Sequence, residues 1–475
     1  MKKFFLKKWN ETGGCREVLI LALPLIISIG AGTVQMFFDR IFLNWYSDDA
    51  MAGAMQAGIA SFSIASFFLG TVSYVNTFVA QYFGAQKNHR VGPVIWQGVF
   101  LVAVSGLLML LLIPFASRIF KFFGHEQAIQ QAEITYFQIM CIAATPMLLD
   151  SVLAAFFTGR GDTKTVMFVN LAATGVDLVL DYLMIFGKLG FPRMGVAGAA
   201  WSNCIAAVFI VVVYFVLILN KHNRKTYHMI KGFGFDRDLI KRILKFGLPN
   251  GVQFMLDVSA FTIFIMFVGR ISETAQKATA IAFSINTLAF MPMIGIGIAV
   301  TTLVGQALGR NEPDVAQRST WSGFYVAFAY MVTMAISFWL LPGLFLLPFS
   351  VNADPARFAL IRPVAVNLLL FVAFYCLFDA GNIIFAAALK GAGDTRFVMI
   401  FTILLSWLVM VLPSYLAVRL GGGVYAVWTF TTAYVCIIAI VFLLRFLSGK
   451  WKSMRVIEHA APSIPPNIPA PPEGL

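Results

Sequence analysis

Residues 70–84, GTVSYVNTFVAQYFG, have a counterpart 225 positions later in residues 295–309, GIGIAVTTLVGQALG. Gly70 falls on Gly295, Gln81 on Gln306 and Gly84 on Gly309, with no gap between them. The same register extends outward, carrying Leu23-Pro24 onto Leu248-Pro249, Trp96 onto Trp321 and Gly98 onto Gly323. Further along, Gly159-Arg160-Gly161-Asp162-Thr163 is answered by Gly391-Ala392-Gly393-Asp394-Thr395, and Val166-Met167 by Val398-Met399, at an offset of 232. Gly195-Val196 then recurs as Gly423-Val424. Two copies of one unit, each made of long apolar stretches, predict a membrane protein with two similar lobes and a site at their interface.

Composition sets the class. Of 475 residues, 59% are hydrophobic and 12% charged, against about 25% charged in soluble domains. Apolar runs long enough to cross a hydrocarbon core of about 30 Å occur twelve times between residues 16 and 448, six in each repeat. The expected fold is therefore an all-α membrane protein of twelve transmembrane helices in two pseudo-symmetric six-helix lobes. Residues 1–220 form the N-lobe, 221–238 a basic and aromatic linker, and 239–450 the C-lobe. Residues 451–475 read as a disordered tail, because prolines 462, 465, 466, 469, 471 and 472 forbid a packed helix.

The net charge of +13 raises the question of nucleic acid, and the placement of the charges answers it. With the N-terminus inside, 25 of the 35 Lys and Arg fall on inner segments, eight of them between Lys221 and Lys245. That is the positive-inside pattern of a multi-pass protein with both termini in the cytoplasm, so no nucleic-acid partner is expected and membrane lipids are. The basic start before an apolar run resembles a signal peptide, but no small-residue cleavage site follows, and it reads as an uncleaved first span. The five cysteines, at 15, 141, 204, 376 and 436, are scattered and suggest neither disulfides nor a metal site.

The chemistry lies in six acids within the spans: Asp39, Asp150, Asp177, Asp181, Asp257 and Asp379. A carboxylate at bilayer depth costs about 2.5 to 3.5 kcal/mol even on the lenient insertion scale, so it faces a cavity or a partner. No Lys, Arg or His falls mid-span to neutralise these acids, and Arg40 beside Asp39 points away by about 100°. The missing charge is expected to come from outside the chain, as H⁺, Na⁺ or a cationic substrate. Asp177 and Asp181 are four apart and share a helix face, where they repel unless a cation bridges them or one holds a proton. Tyr375 and Asp379 share a face in the second lobe by the same spacing, and the phenol there can ligate a cation or bond the acid. Na⁺ is thus a candidate ligand of Asp39, Asp177 and Asp181, or of Asp257, Tyr375 and Asp379. Asp150, near a span end, reads as a helix-packing residue. The 47 phenylalanines and 20 methionines suit a cavity for flat lipophilic cations, although most of them face lipid.

Taken together, these residues resemble the multidrug and toxic compound extrusion (MATE) transporters, within a wider group that includes lipid-linked oligosaccharide flippases. The resemblance spans about residues 15–450 and rests on Leu23-Pro24 with Asp39 fifteen residues on, Gln81-Tyr82-Phe83-Gly84-Ala85, the two Gly-Asp-Thr loops, and Gly195 to Ala200 opening the sixth span. It implies a multi-pass plasma-membrane (inner-membrane) antiporter, working as a monomer. Such a protein exports amphipathic organic cations in exchange for H⁺ or Na⁺ by alternating access, with no cofactor beyond the coupling ion. It implies that Asp39 is the first-helix acid linked to bending at Pro24, the conformational hinge, and that Asp181 is the fifth-helix acid of the same site. Asp177 stands where the family often has Asn. Asp257 matches a seventh-helix acid that is Glu in the Na⁺-coupled branch, and Tyr375 and Asp379 match that branch's tenth-helix pair.

Two other readings compete. The Gly-x-Gly-Asp copies at 159–162 and 391–394 match the pattern of intramembrane aspartyl proteases, but their duplication in short loops suits a structural turn, and no enzyme is expected. A flippase for an anionic lipid-linked precursor would need basic residues in its cavity, whereas the intramembrane charges here are acidic.

Overall fold

The computed structural model describes residues 9–351 and 354–458. Twelve helices are long and apolar enough to cross a membrane: α1 Cys15–Tyr46, α2 Asp48–Gly84, α3 Asn88–Phe122, α4 Gln127–Thr158, α5 Thr163–Phe186, α6 Val196–Ile218, α7 Arg237–Gly269, α8 Glu273–Gly309, α9 Pro313–Leu340, α10 Pro355–Ala392, α11 Thr395–Arg419 and α12 Val424–Leu447. No strand interrupts them among the described residues, as expected where a backbone in lipid must satisfy its own hydrogen bonds. At 37 and 38 residues, α8 and α10 are about 55 Å long at 1.5 Å per residue, well beyond the hydrocarbon core.

Within the first six helices, α1 packs on α5, α2 on α4, and α4 and α5 on α6; within the last six, α7 packs on α11, α8 on α10, and α10 on α12. Across the two sets α2 meets α7 and α1 meets α8, pairings that a two-fold exchange of the repeats would interchange. Two pairs of the repeated glycines, Gly70 with Gly295 and Gly84 with Gly309, lie on these seams. A Cβ at Gly70 would come within 2.8 Å of Gly251 Cα, and one at Gly84 would overlap the Gln306 carbonyl as one at Gly309 would overlap that of Gln81. The repeated glutamines face one another's lobes in the same reciprocal way. Gln81 Nε2 donates to the Gly391 carbonyl (2.9 Å), and Gln306 Nε2 to the Gly159 carbonyl (2.8 Å). Among the described residues, the hydrogen bonds between lobes, including Tyr74 to Lys390 and Asn250 to Gly70, all fall in the half of the molecule that carries the start of α1 and the end of α12.

The Gly-x-Gly-Asp copies close α4 and α10. Gly161 and Gly393 adopt φ of +87° and +110°, which only glycine takes without strain. Asp162 then caps α5 through the backbone N–H of Thr165 (3.3 Å) and its hydroxyl (2.8 Å), while Asp394 pairs with Arg445 (2.7 Å). Each aspartate is committed to its own lobe, which agrees with a structural turn.

Two features depart from the sequence reading. First, α11 is not a plain helix: Ser406–Val411 forms a π-helical segment just before Pro413, where the proline lacks the N–H that an α-turn would use. Second, the tail does not begin at residue 451. Trp451 is fully buried, Val456 and Ile457 are buried, and Lys450–Ser453 forms a short 3₁₀ turn. The proline-rich composition that suggested disorder starts only at Pro462, outside the described residues.

Candidate functional site

Asp39 sits about three-quarters of the way along α1, beyond the lobe contacts, with Gln35 one turn before it. α1 packs against α5, which presents Asp177 and Asp181 from one face, both fully buried. The structure brings the three together, one carboxylate oxygen from each lying within 4.8 Å of the others. Partners are few. Asp39 Oδ2 accepts from Asn203 Nδ2 (3.2 Å), and Asn203 is itself oriented by Gln35 Nε2 (2.9 Å) and by donation to the Ala199 carbonyl (2.9 Å). Ser202 Oγ contacts Asp181 Oδ1. Asp39 Oδ1, both oxygens of Asp177 and Asp181 Oδ2 are buried with no protein partner.

A buried carboxylate oxygen without a donor forfeits its hydration, and three acids at this range repel, so the cluster needs positive charge. Protons or a metal cation would both serve, and the clustered oxygens of Asp39, Asp177 and Asp181 fit the ligand preference of a hard cation such as Na⁺. Ser202 adds a finer point. Its hydroxyl touches both Asp181 Oδ1 and the Ala199 carbonyl (2.8 Å), yet a hydroxyl carries one proton. That one proton is either shared between the two acceptors or given to the Ala199 carbonyl, in which case a proton on Asp181 completes the second contact. Gln35, Ser202 and Asn203 were not singled out in the sequence. The available signal was amide and hydroxyl side chains, Ser202-Asn203 in a span otherwise made almost wholly of apolar and aromatic residues.

The second lobe is arranged differently. Asp257 accepts from Gln253 Nε2 (3.2 Å) and Asp379 from Asn382 Nδ2 (3.0 Å). Both acids act electrostatically on the buried Tyr434, and Tyr375 is buried one turn from Asp379. Neither acid has an oxygen that is both sealed and unpartnered among the described residues. The expectation that no basic side chain serves the acids fails here, because Lys390 acts electrostatically on Asp257. Lys390 follows the last apolar residues of the tenth run, so hydropathy ends the span before it, but α10 continues to Ala392. Asp150 is half-buried in α4 with Oδ1 sealed and unpartnered, so no packing hydrogen bond to that oxygen is made. Pro24 and Pro249 lie inside α1 and α7, each of which continues as one helix through its proline.

Comparison with known proteins places this architecture. The MatE family model matches twice, over residues 24–183 and 249–416, beginning each time at the proline of a lobe's first helix. A probable multidrug resistance protein NorM of Thermotoga maritima is 27% identical over 451 residues, 93% of this chain and 94% of its own. In fold, the chain is similar to a solved MOP superfamily transporter from Pyrococcus furiosus, with a TM-score of 0.85 at 19% identity over 94% of this chain and 99% of that one. It is also similar to the outward-facing conformation of a multidrug resistance MATE family transporter, with a TM-score of 0.84 at 18% identity over 94% and 98%. With a doubled family match laid over two six-helix sets that meet by reciprocal contacts, this multi-pass membrane protein belongs to the MATE family of transporters.

Proposed function

We propose that this protein is a secondary active antiporter that exports amphipathic organic cations in exchange for H⁺ or Na⁺ entering through the N-lobe cluster. The observation that carries this reading is the convergence of Asp39, Asp177 and Asp181 within 4.8 Å with unpartnered buried oxygens. A site that requires positive charge is stable either with the coupling ion or with a cationic cargo nearby, and holds both poorly, so the two compete. The relatives' description as multidrug resistance proteins supports a broad cargo range. The acids of the second lobe, Asp257 and Asp379 with Tyr375, would then serve cargo or a secondary ion.

Both termini face the cytoplasm in this reading, so the lobes are closed on the cytoplasmic side and the cluster lies toward the outside. Coupling ions would enter from outside and be released inward after the lobes rock. Working as a monomer in the plasma membrane, the protein draws on the membrane potential. An inward elementary charge across 100 mV supplies about 2.3 kcal/mol, roughly fifty-fold accumulation of cargo.

Efflux of a fluorescent organic cation from proteoliposomes tests this, with pH and Na⁺ gradients imposed separately. Efflux is expected to follow one or both gradients and to stop when both gradients and the potential are collapsed without ATP. Unchanged efflux after that collapse would exclude secondary coupling.

A further inference from the structure

The segment after α12 crosses the lobe boundary. Trp451 anchors it, with the indole N–H donated to the Phe446 carbonyl (2.8 Å) and its ring stacked on Phe446. Lys452 reaches Asp314 (3.2 Å) at the start of α9. The backbone N–H of Val456 then donates to Gln81 Oε1 (2.9 Å) in a buried contact. Gln81 is the side chain whose amide nitrogen holds Gly391 in the other lobe, so both ends of this amide are engaged, one across the lobe boundary and one by the segment. Glu458 completes the crossing. It accepts from Tyr82 of α2 (2.8 Å) and Arg90 of α3 (3.2 Å) on one side of the boundary, and from Arg242 of α7 on the other.

We propose that residues 450–458 form a detachable strap, docked in the groove between the lobes only while the termini-bearing ends are together, which holds the protein in that state and must release in every transport cycle. The inference rests on the alternating-access reading above. Glu458 bridges α2 and α3 to α7, and no single carboxylate can follow both when those helices part. The individual ion pairs are partly exposed and weak. The buried Val456 to Gln81 bond is the stronger restraint, since breaking it strands a buried acceptor. The strap also breaks the two-fold relation of the repeats: the donor to Gln81 Oε1 is the N–H of Val456, a residue beyond the end of the second repeat.

The charge on Glu458 is secure. Burial pushes its carboxyl up, but hydrogen bonds from Arg242 and Tyr82 outweigh this and hold it at about 2. A carboxyl held low loses its contribution only as pH falls toward that value, so the strap should act uniformly between pH 5 and 8.

Spin labels at Lys164→Cys and Arg396→Cys, exposed equivalents in the first turns of α5 and α11, report separation of the lobes in a background freed of the five native cysteines. Three chains are compared in nanodiscs with neither cargo nor ion gradient: full length, truncated after Glu458, and truncated after Met454. The last keeps Trp451, so α12 stays anchored. Truncation after Glu458 is expected to match full length, while truncation after Met454 raises the separated population about ten-fold, as loss of the buried Val456 bond to Gln81 and of the Tyr82 and Arg90 bonds to Glu458, which tie the segment to the first lobe, implies. Glu458→Gln, which keeps the shape, should raise it about three-fold. Adding the synthetic peptide of residues 455–458 at millimolar concentration to the shorter truncation should restore the short distance. Equal populations in all chains would overturn the strap. A single distance under every condition, with cargo and ions included, would instead overturn alternating access.

Discussion

Asp39→Asn is expected to abolish ion-coupled export while leaving the protein inserted and folded. Asparagine keeps the shape of the protonated acid and can still face Asn203, whose amide donates to Asp39 in the native protein, but it can neither bind and release a proton nor neutralise a metal cation. The lost capacity is a turnover function, so efflux should fall at least a hundred-fold at matched expression, while thermal stability holds or rises, because one of three mutually repelling carboxylates has gone. Asp379→Asn serves as the comparison. Its acid is already held by Asn382, and its loss should leave partial activity. Wild-type export by Asp39→Asn beside a dead Asp379→Asn would move the coupling site to the second lobe.

Gly84→Ala is expected to stop transport by a different route. The added Cβ would overlap the carbonyl of Gln306, and a backbone carbonyl in a long helix cannot step aside. The overlap exists only while the lobes are together at this end, so the chain can relieve it by letting them part. The variant should therefore fold, show the separated distance between labels at Lys164→Cys and Arg396→Cys, and lose efflux by more than ten-fold because half the cycle is inaccessible. Gly309→Ala, the two-fold equivalent, should behave alike. Gly30→Ala, whose added Cβ meets nothing within 4 Å, controls for mere loss of helical glycine. Native efflux by Gly84→Ala would show that the seam yields, and that these glycines set no conformational limit.

Much of this architecture was legible in the chain, for a physical reason. Gly70 and Gly84 recur in register because each repeat must approach the other's backbone closely, which only glycine permits, and Gln81 recurs because its amide bonds a carbonyl of the opposite repeat. The contact itself was invisible, since a sequence shows that a residue recurs and not what it faces. The acids stood out because a charge in lipid is costly. Their helpers Gln35, Ser202 and Asn203 did not, because neutral polar side chains are common in membrane helices and their role depends on which helix lies opposite. Lys390 escaped because hydropathy ends a span where charge begins, whereas a helix continues for as long as its hydrogen bonds do. The strap was hidden by averaging: prolines from 462 onward coloured a segment whose first residues, Trp451 and Val456, are buried.

The reciprocal glutamine contacts carry one more implication. When Gln81 grips Gly391 and Gln306 grips Gly159, donor and acceptor are both present in each repeat, in matching places. That is the arrangement of an isologous interface, the kind by which two identical subunits recognise each other about a two-fold axis. Each repeat thus contains a complete half of a homodimer, joined here to its mate by a linker. A six-helix protein bearing this glutamine and this glycine loop would need no new surface to pair with a second copy of itself.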